Sequence, residues 1–293
     1  FLYSQPSIDA RYNQQNSGNF LLLSTLQVFT GQLDRSIAEA NRPRSSGSWS
    51  TEIRPMGRLR IVQSWFTDRF HISAGSFLAR TLVSGAGPII AEAGASDRLV
   101  LNYNRHQVDA IVEAGSFLSL RGGHRYEWGE AVGRATSLTP GGRAAELGRQ
   151  VALAGAALRL GSKIDLNADL EAAAGDRTFF RTDLADYQRG KVRGRYRIAR
   201  WLSLSGAFSI LNNQNPAPGA KLDYQNRRSA AALIFTPGDG RRVSVLMDYA
   251  RSTTRSSIPF LAPQDRTQEI SRYRDDAHYG GAAADIQVWR TAR

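Results

Sequence analysis

Apolar and polar side chains alternate through most of this chain, and a period of two is the period of a β-strand. Over residues 163–174, Ile164, Leu166, Ala168, Leu170, Ala172 and Ala174 fall on one side. Lys163, Asp165, Asn167, Asp169 and Glu171 fall on the other. A helix would mix the two sets, whereas an extended strand separates them completely. The next segment repeats the pattern with the opposite charge: Lys191, Arg193, Arg195 and Arg197 alternate with Val192, Gly194, Tyr196 and Ile198. Beyond a turn at 199–201, Leu202, Leu204, Gly206, Phe208 and Ile210 oppose Ser203, Ser205, Ala207 and Ser209.

Other segments follow the same plan. Val108, Ala110, Val112 and Ala114 oppose Gln107, Asp109 and Glu113, with Ile111 an exception. Leu118, Leu120, Gly122, His124, Tyr126 and Trp128 oppose Ser119, Arg121, Arg125 and Glu127. Val243, Val245, Met247 and Tyr249 oppose Arg242, Ser244 and Asp248. Residues 143–160, rich in Ala and Leu, form the best helical candidate. Gly148, Gly155 and Gly161 weaken a helix there, which favours a small-residue strand.

Turn chemistry separates these segments unevenly. Short turns are expected near Pro55, Ser116, Gly161, Arg200 and Asp239. The intervening connections, 32–47, 71–97, 129–148, 175–188, 212–222 and 255–276, are rich in Gly, Pro, Ser, Asn and charge and read as long loops. Short turns alternating with long loops are the organisation of an outer-membrane barrel. Aromatics collect near both ends of the strands: Trp65, Phe66, Tyr126, Trp128, Phe179 and Phe180 on the loop side, Phe117, Trp201 and Phe235 on the turn side. Two such belts suit the two interfaces of a membrane.

Composition narrows the choice. The longest uncharged apolar runs, 20–23 and 151–158, fall far short of the ~18 residues of a membrane helix, so a helical membrane protein is excluded. Barrel strands show lipid only at every second residue, so hydropathy windows miss them. There is no cysteine, hence no disulfide framework and no thiolate metal site. The net charge of +12 calls for anionic neighbours, lipopolysaccharide among them. A nucleic-acid binder would interleave aromatics with its basic row, and here Tyr196 lies opposite the arginines.

The fold expected is therefore all-β: an antiparallel up-and-down transmembrane β-barrel, with about 13 strands in this chain, against the even number of single-chain bacterial barrels. The odd number, the first residue Phe1 and the lack of a terminal aromatic over 285–293 suggest one domain, 1–293, that is a fragment of a larger barrel, incomplete at both ends. A soluble β-propeller is the competing architecture because the last three turns recur about every 40 residues. Propeller blades and sandwiches need shorter strands than these.

The strings Arg121-Gly122-Gly123-His124-Arg125-Tyr126-Glu127-Trp128-Gly129, Gly175-Asp176-Arg177-Thr178-Phe179-Phe180-Arg181 and Leu211-Asn212-Asn213-Gln214-Asn215-Pro216 resemble large outer-membrane barrel proteins of acidobacterial type. More loosely they are similar to the porin sheaths of porin–cytochrome conduits. The resemblance runs from Met56 to the C-terminus and implies an architecture rather than a chemistry. A conduit sheath would imply a multihaem cytochrome partner in the lumen.

Catalytic signals are absent. His71, His106, His124 and His278 are scattered without metal-ligand spacing, and no nucleophile elbow, P-loop or dinucleotide fingerprint occurs. Neither a catalytic role nor a cofactor nor a metal is expected. Asp165, Asp169 and Glu171 could pair as acid and base or hold calcium, but a wet lumen wall explains them more simply. Lys163, Asp165, Asn167, Asp169 and Glu171 are the expected lumen lining, together with Lys191, Arg193, Arg195 and Arg197, read as two strands along and pairing with the acidic row. The function expected is a porin-like pore or transport channel for small hydrophilic solutes in the outer membrane of a Gram-negative bacterium. Its partners would be outer-membrane lipid and lipopolysaccharide, not nucleic acid. The alternatives are a sheath barrel holding a lumenal or periplasmic partner protein, or a soluble all-β binding protein.

Overall fold

The computed structural model describes residues 1–22, 27–135, 143–180, 182–216, 221–238, 243–261 and 268–286. Among them every regular element is a strand, and no helix is long and apolar enough to cross a membrane. The fourteen strands are β1 (Leu2–Ser4), β2 (Ser7–Leu22), β3 (Gln27–Asn41), β4 (Arg44–Met56), β5 (Leu59–Ser84), β6 (Gly87–Glu113) and β7 (Leu118–Ala135), followed by β8 (Arg143–Leu160), β9 (Ile164–Arg177), β10 (Asp186–Ala199), β11 (Leu202–Asn215), β12 (Leu222–Phe235), β13 (Val243–Leu261) and β14 (Gln268–Ile286). They form one sheet in which β4 to β14 follow one another in chain order. The ladders from β8 to β14 are all antiparallel, so the sheet runs up and down.

The expected count of about 13 strands becomes 14, and the excess has a local cause. β1 pairs with β4 while β2 pairs with β3, in one register, with Ser4 opposite Arg44 and Ser7 opposite Asn41. Pro6 and Pro43 sit in the gaps. Each lacks the N–H that the ladder needs, so two continuous passes are scored as four elements. The Arg42 N–H donates to the Pro6 carbonyl at 2.9 Å and that of His71 to the Pro43 carbonyl at 3.0 Å, carrying the sheet across the break.

By contacts the chain divides into two compact units: Phe1–Ser48 with Phe66–Asn104 and Gly129–Glu146, and Trp49–Trp65 with Arg105–Trp128 and Leu147–Arg293. Within the first, β3 pairs with the C-terminal half of β5, Asn41 to Ser73 through Gly31 to Val83. Two forked ion pairs tie neighbouring strands there. Arg44 meets Asp68 at 2.8 and 2.6 Å, and Arg80 meets Asp34 at 2.8 and 3.0 Å.

In the second unit, β8 to β14 keep an almost unbroken register, and each face is continuous from strand to strand. One face carries Leu158, Leu166, Gly194 and Gly206 in one cross-strand row, and Ala156, Ala168, Val192 and Phe208 in another. The other carries Gly155, Asp169, Lys191, Ser209 and Arg228. Residues 143–160 are strand β8, as their glycines suggested.

The loops differ from expectation. Most of 71–97, read as a long connection, is strand: β5 and β6 continue through it to a tight turn at Gly85-Ala86, where Gly87 has φ +113. Likewise β3 and β4 occupy most of 32–47, and every strand from β7 to β14 except β12 runs several residues into the polar stretches. Antiparallel ladders are made by the backbone, so polar side chains on both faces do not end them. The short turns lie close to where they were expected, at Gly57-Arg58, Gly115–Phe117, 161–163 and 200–201. Pro55 itself is in β4. Asp239-Gly240, Arg181 and the terminal string 287–293 lie outside the described residues.

Close strand approach needs particular glycines. A Cβ on Gly123 would run into the Asp109 carboxylate and stand 2.8 Å from the Val108 carbonyl. Gly123→Val should therefore lower the urea midpoint of the folded, detergent-solubilised protein by the equivalent of ~1–3 kcal/mol. An unchanged midpoint would show that β6 and β7 are not held this close.

Candidate functional site

Seen strand by strand, the polar face of the second unit is built from odd-numbered residues of β7 to β11: Arg121, Arg125 and Glu127 on β7, Arg149 on β8, and then the rows of β9 and β10. Tyr187, Arg189, Lys191, Arg193 and Arg195 lie directly opposite Ala173, Glu171, Asp169, Asn167 and Asp165. The acidic and basic rows are thus on adjacent strands, not two strands apart. The connection between them is a single hairpin arm, which forces consecutive strands to pair. Lys163 is not in the row. It sits in the 161–163 turn, where its N–H donates to the Leu160 carbonyl at 3.3 Å and its own carbonyl accepts from Arg197 N–H at 2.7 Å.

The two rows do not neutralise each other. Glu171 is held at 3.0 Å by Arg125, while Asp169 and Asp165 look toward Arg121 at 3.9 Å and Arg159 at 3.7 Å. Asn167 Nδ2 also donates to Asp165 Oδ1 at 2.8 Å. The carboxylates of β9 are therefore engaged from the β7–β8 side. Among the described residues Lys191, Arg193, Arg195 and Arg197 have no carboxylate within ion-pair distance. Their neighbours on β11 are Ser209, Ala207, Ser205 and Ser203, too short to cover a guanidinium. Arg228 extends the row beyond Ser209. This leaves a basic lane open to water.

Toward the loop end the same face is closed and rigid. Arg125 sits 2.9 Å from Glu127 and 3.0 Å from Glu171, and donates to the Tyr187 hydroxyl at 2.7 Å. Tyr187 in turn donates to Glu171 at 3.0 Å. Arg149 closes the chain by pairing with Glu127 and lying 5.3 Å from the Tyr187 ring centroid. Two cations and two anions are thus shared over four strands, and each charge has a partner that limits the cost of its burial.

Residues 178–180 and 182–185, between β9 and β10, fold onto this network. Arg149 donates to the Leu184 carbonyl, and Asn213 Nδ2 to that of Asp183 at 3.2 Å. The Ala185 N–H donates to Asn213 Oδ1 at 2.9 Å. Asn215 Nδ2 reaches the Phe180 and Asp183 carbonyls, both at 3.2 Å. Both asparagines are buried. Val151, Leu153 and Tyr187, with Ala173, Leu184 and Leu211, form an apolar cluster beneath the segment. A strand connection has turned inward over the polar face instead of away from it.

The apolar face presents the opposite picture. Leu120, Leu170, Tyr196, Phe208, Met247 and Tyr249 are all exposed. Trp65 and Trp128 meet edge to face at 5.2 Å, Tyr126 stacks on Trp128 at 5.0 Å, and His106 lies 5.7 Å from Trp65. At the turn end Trp201 meets Phe235 at 5.5 Å. Of the expected aromatics, Trp65, Tyr126 and Trp128 gather on this face inside β5 and β7 rather than at their ends, Trp201 and Phe235 meet at the turn, and Phe179 and Phe180 belong to the connection between β9 and β10. Phe66 departs from them, packing instead against Tyr103 at 6.1 Å within the first unit.

Sequence reasoning placed Asp165, Asn167, Asp169, Glu171, Lys191, Arg193, Arg195 and Arg197 on one face, and the ladder puts all of them there. It missed Arg149 and Tyr187, and with them the pinned network, because Arg149 directly follows a stretch read as loop and Tyr187 lies inside one. Alternation counted outward from Val151 and Lys191 would have found them. No group of three metal-ligating side chains comes together among the described residues.

No family model matches the chain, and no curated protein sequence matches it. Among solved structures it is similar to the toluene transporter TodX of P. putida. The identity is 8%, the TM-score 0.30, and the match covers 98% of this chain and 90% of that one.

The network makes a measurable claim. Glu127→Ala strands Arg125 and Arg149 without their shared carboxylate and should cost ~3–5 kcal/mol in urea unfolding. Asp165→Ala removes only a long, exposed contact and should cost ~0–1 kcal/mol. Equal losses from the two would show that the network does not pin the strands.

Proposed function

We propose that the chain forms the wall of an outer-membrane β-barrel pore in a Gram-negative bacterium, its apolar face toward lipid and its polar face on a water-filled lumen. The observation that carries this reading is the uncovered apolar face. The chain exposes 20,891 Å². A compact soluble protein of 32.2 kDa would expose about 12,000 Å², so a sheet with a second covering layer is a poor fit. A sheet face with Leu170, Tyr196, Phe208, Met247 and Tyr249 all exposed is foreign to a soluble monomer.

The dimensions suit a bilayer. On β11 the apolar positions run from Leu202 to Ile210, and then Asn212 and Gln214 follow on the same face. At ~3.4 Å per residue that stripe is about 27 Å long, or ~20 Å high at a ~40° tilt, close to the ~25 Å band of outer-membrane barrels. Lipid also requires closure, because an open edge would leave backbone groups unpaired in hydrocarbon. Closure supplied by β2 against β14, or by further strands, is part of the proposal.

Inside such a wall, residues 178–180 and 182–185 would narrow the lumen and the basic lane on β10 would face the passing solute. Cationic rings in a pore favour anions. The cargo proposed is therefore small, hydrophilic and anionic. The double substitution Arg193→Glu with Arg195→Glu should move the reversal potential in a KCl gradient across a planar bilayer toward cation selectivity. Channels with unaltered reversal potential would reject the lane as the selectivity element.

A further inference from the structure

We infer that the apolar face bears a lipid-phosphate site where β12, β13 and β14 leave their apolar stripe on the loop side. It rests on the membrane-spanning placement proposed above, and it concerns the opposite face from the pore lining. The stripe ends abruptly on these strands. Three cross-strand rows are apolar: Phe235 with Val245 and Ala284, Leu233 with Met247 and Ala282, and Ala231 with Tyr249 and Gly280. The next three are Ser229 with Arg251 and His278, Arg227 with Thr253 and Asp276, and Gln225 with Arg255 and Arg274. Successive rows on one face are about 7 Å apart, so Arg251 stands about 7 Å beyond Tyr249, and Arg255 and Arg274 stand about 21 Å beyond it.

Arg227, Arg251, Arg255 and Arg274 line a common cavity of ≈ 300 Å³. Its one carboxylate, Asp276, is taken by Arg251 at 2.9 and 2.6 Å. Asp223, a row further out on β12, makes no ion pair among the described residues. Arg227, Arg255 and Arg274 remain without a carboxylate partner among the described residues. Arg255 and Arg274 are also direct cross-strand neighbours. Like charges in that position repel and weaken a sheet. Three unpaired guanidiniums, two of them forced side by side above a greasy strip, are complementary to a ligand with clustered phosphates and acyl chains. Guanidinium forks match phosphate oxygens. A phosphorylated glycolipid, with its phosphates on the arginines and its chains along Met247, Tyr249 and Leu233, meets both demands at once.

Binding can be read from the thermal midpoint of the protein in neutral phosphatidylcholine nanodiscs, with and without a bis-phosphorylated lipid A. Lipid A should raise the midpoint of the wild type, and Arg255→Gln with Arg274→Gln should remove that rise, weakening apparent affinity by about tenfold or more. Without lipid A, the same double variant should melt no lower than wild type, because it relieves a repulsion. A rise that survives the substitution, or an equal rise with inorganic phosphate alone, would overturn the site. So would a double variant that melts lower than wild type in neutral lipid. Conductance of the double variant should match wild type. A chain that binds lipid A through these arginines but conducts no ions would refute the pore and leave the lipid site standing.

Discussion

The constraint on which everything else depends is the register of the ladders. Backbone donors and acceptors of neighbouring strands pair along the ladders, and the pairing fixes which side chains share a face. A slip of one residue between β9 and β10 would send Lys191, Arg193 and Arg195 to the side of Leu166 and Leu170. The apolar face, the pinned network and the basic lane are therefore three consequences of one pairing. Small residues help to hold it: Gly190 and Gly194 bring β10 close enough for a Cβ there to touch Leu170 or Leu166 at 3.3 Å.

Alternation made the faces of β7, β9, β10 and β11 legible, because one residue type per face over about ten positions has no helical explanation. Turn positions were legible for the same reason: Gly115 and Gly161 adopt positive φ, which few other residues tolerate. Strand ends were not. Beyond the apolar stripe both faces are polar, the alternation vanishes, and the backbone ladder continues without leaving a mark in composition. That is why 71–97 read as loop and is mostly strand. Pro6 and Pro43 were equally silent, since their effect depends on facing each other across a pair of strands.

The candidate site divides along the same line. Residues placed by periodicity alone, such as Asp169 and Arg193, were found from sequence. Those whose role depends on a fold-back were not. Asn213 and Asn215 look like ordinary loop-side polar residues until the carbonyls of Phe180 and Asp183 are seen to lie over them, and their amides then supply partners for carbonyls that a turned-in segment would otherwise bury unsatisfied. Tyr187 likewise becomes meaningful only between Arg125 and Glu171.

Arginine serves three purposes on one sheet, and its partners decide which. Arg125 and Arg149 are locked by carboxylates and a tyrosine, and a locked cation shapes the wall without attracting a mobile ion. Arg193 and Arg195 stand opposite Asn167 and Asp165, yet no carboxylate lies within ion-pair distance of them among the described residues. Their charge remains available to a mobile anion. Arg255 and Arg274 face the other way and face each other, so their charge is not merely available but in want of an anion. Net charge alone cannot separate these roles. The excess of 38 basic over 26 acidic residues becomes informative only once the ladder shows which cations are already paired.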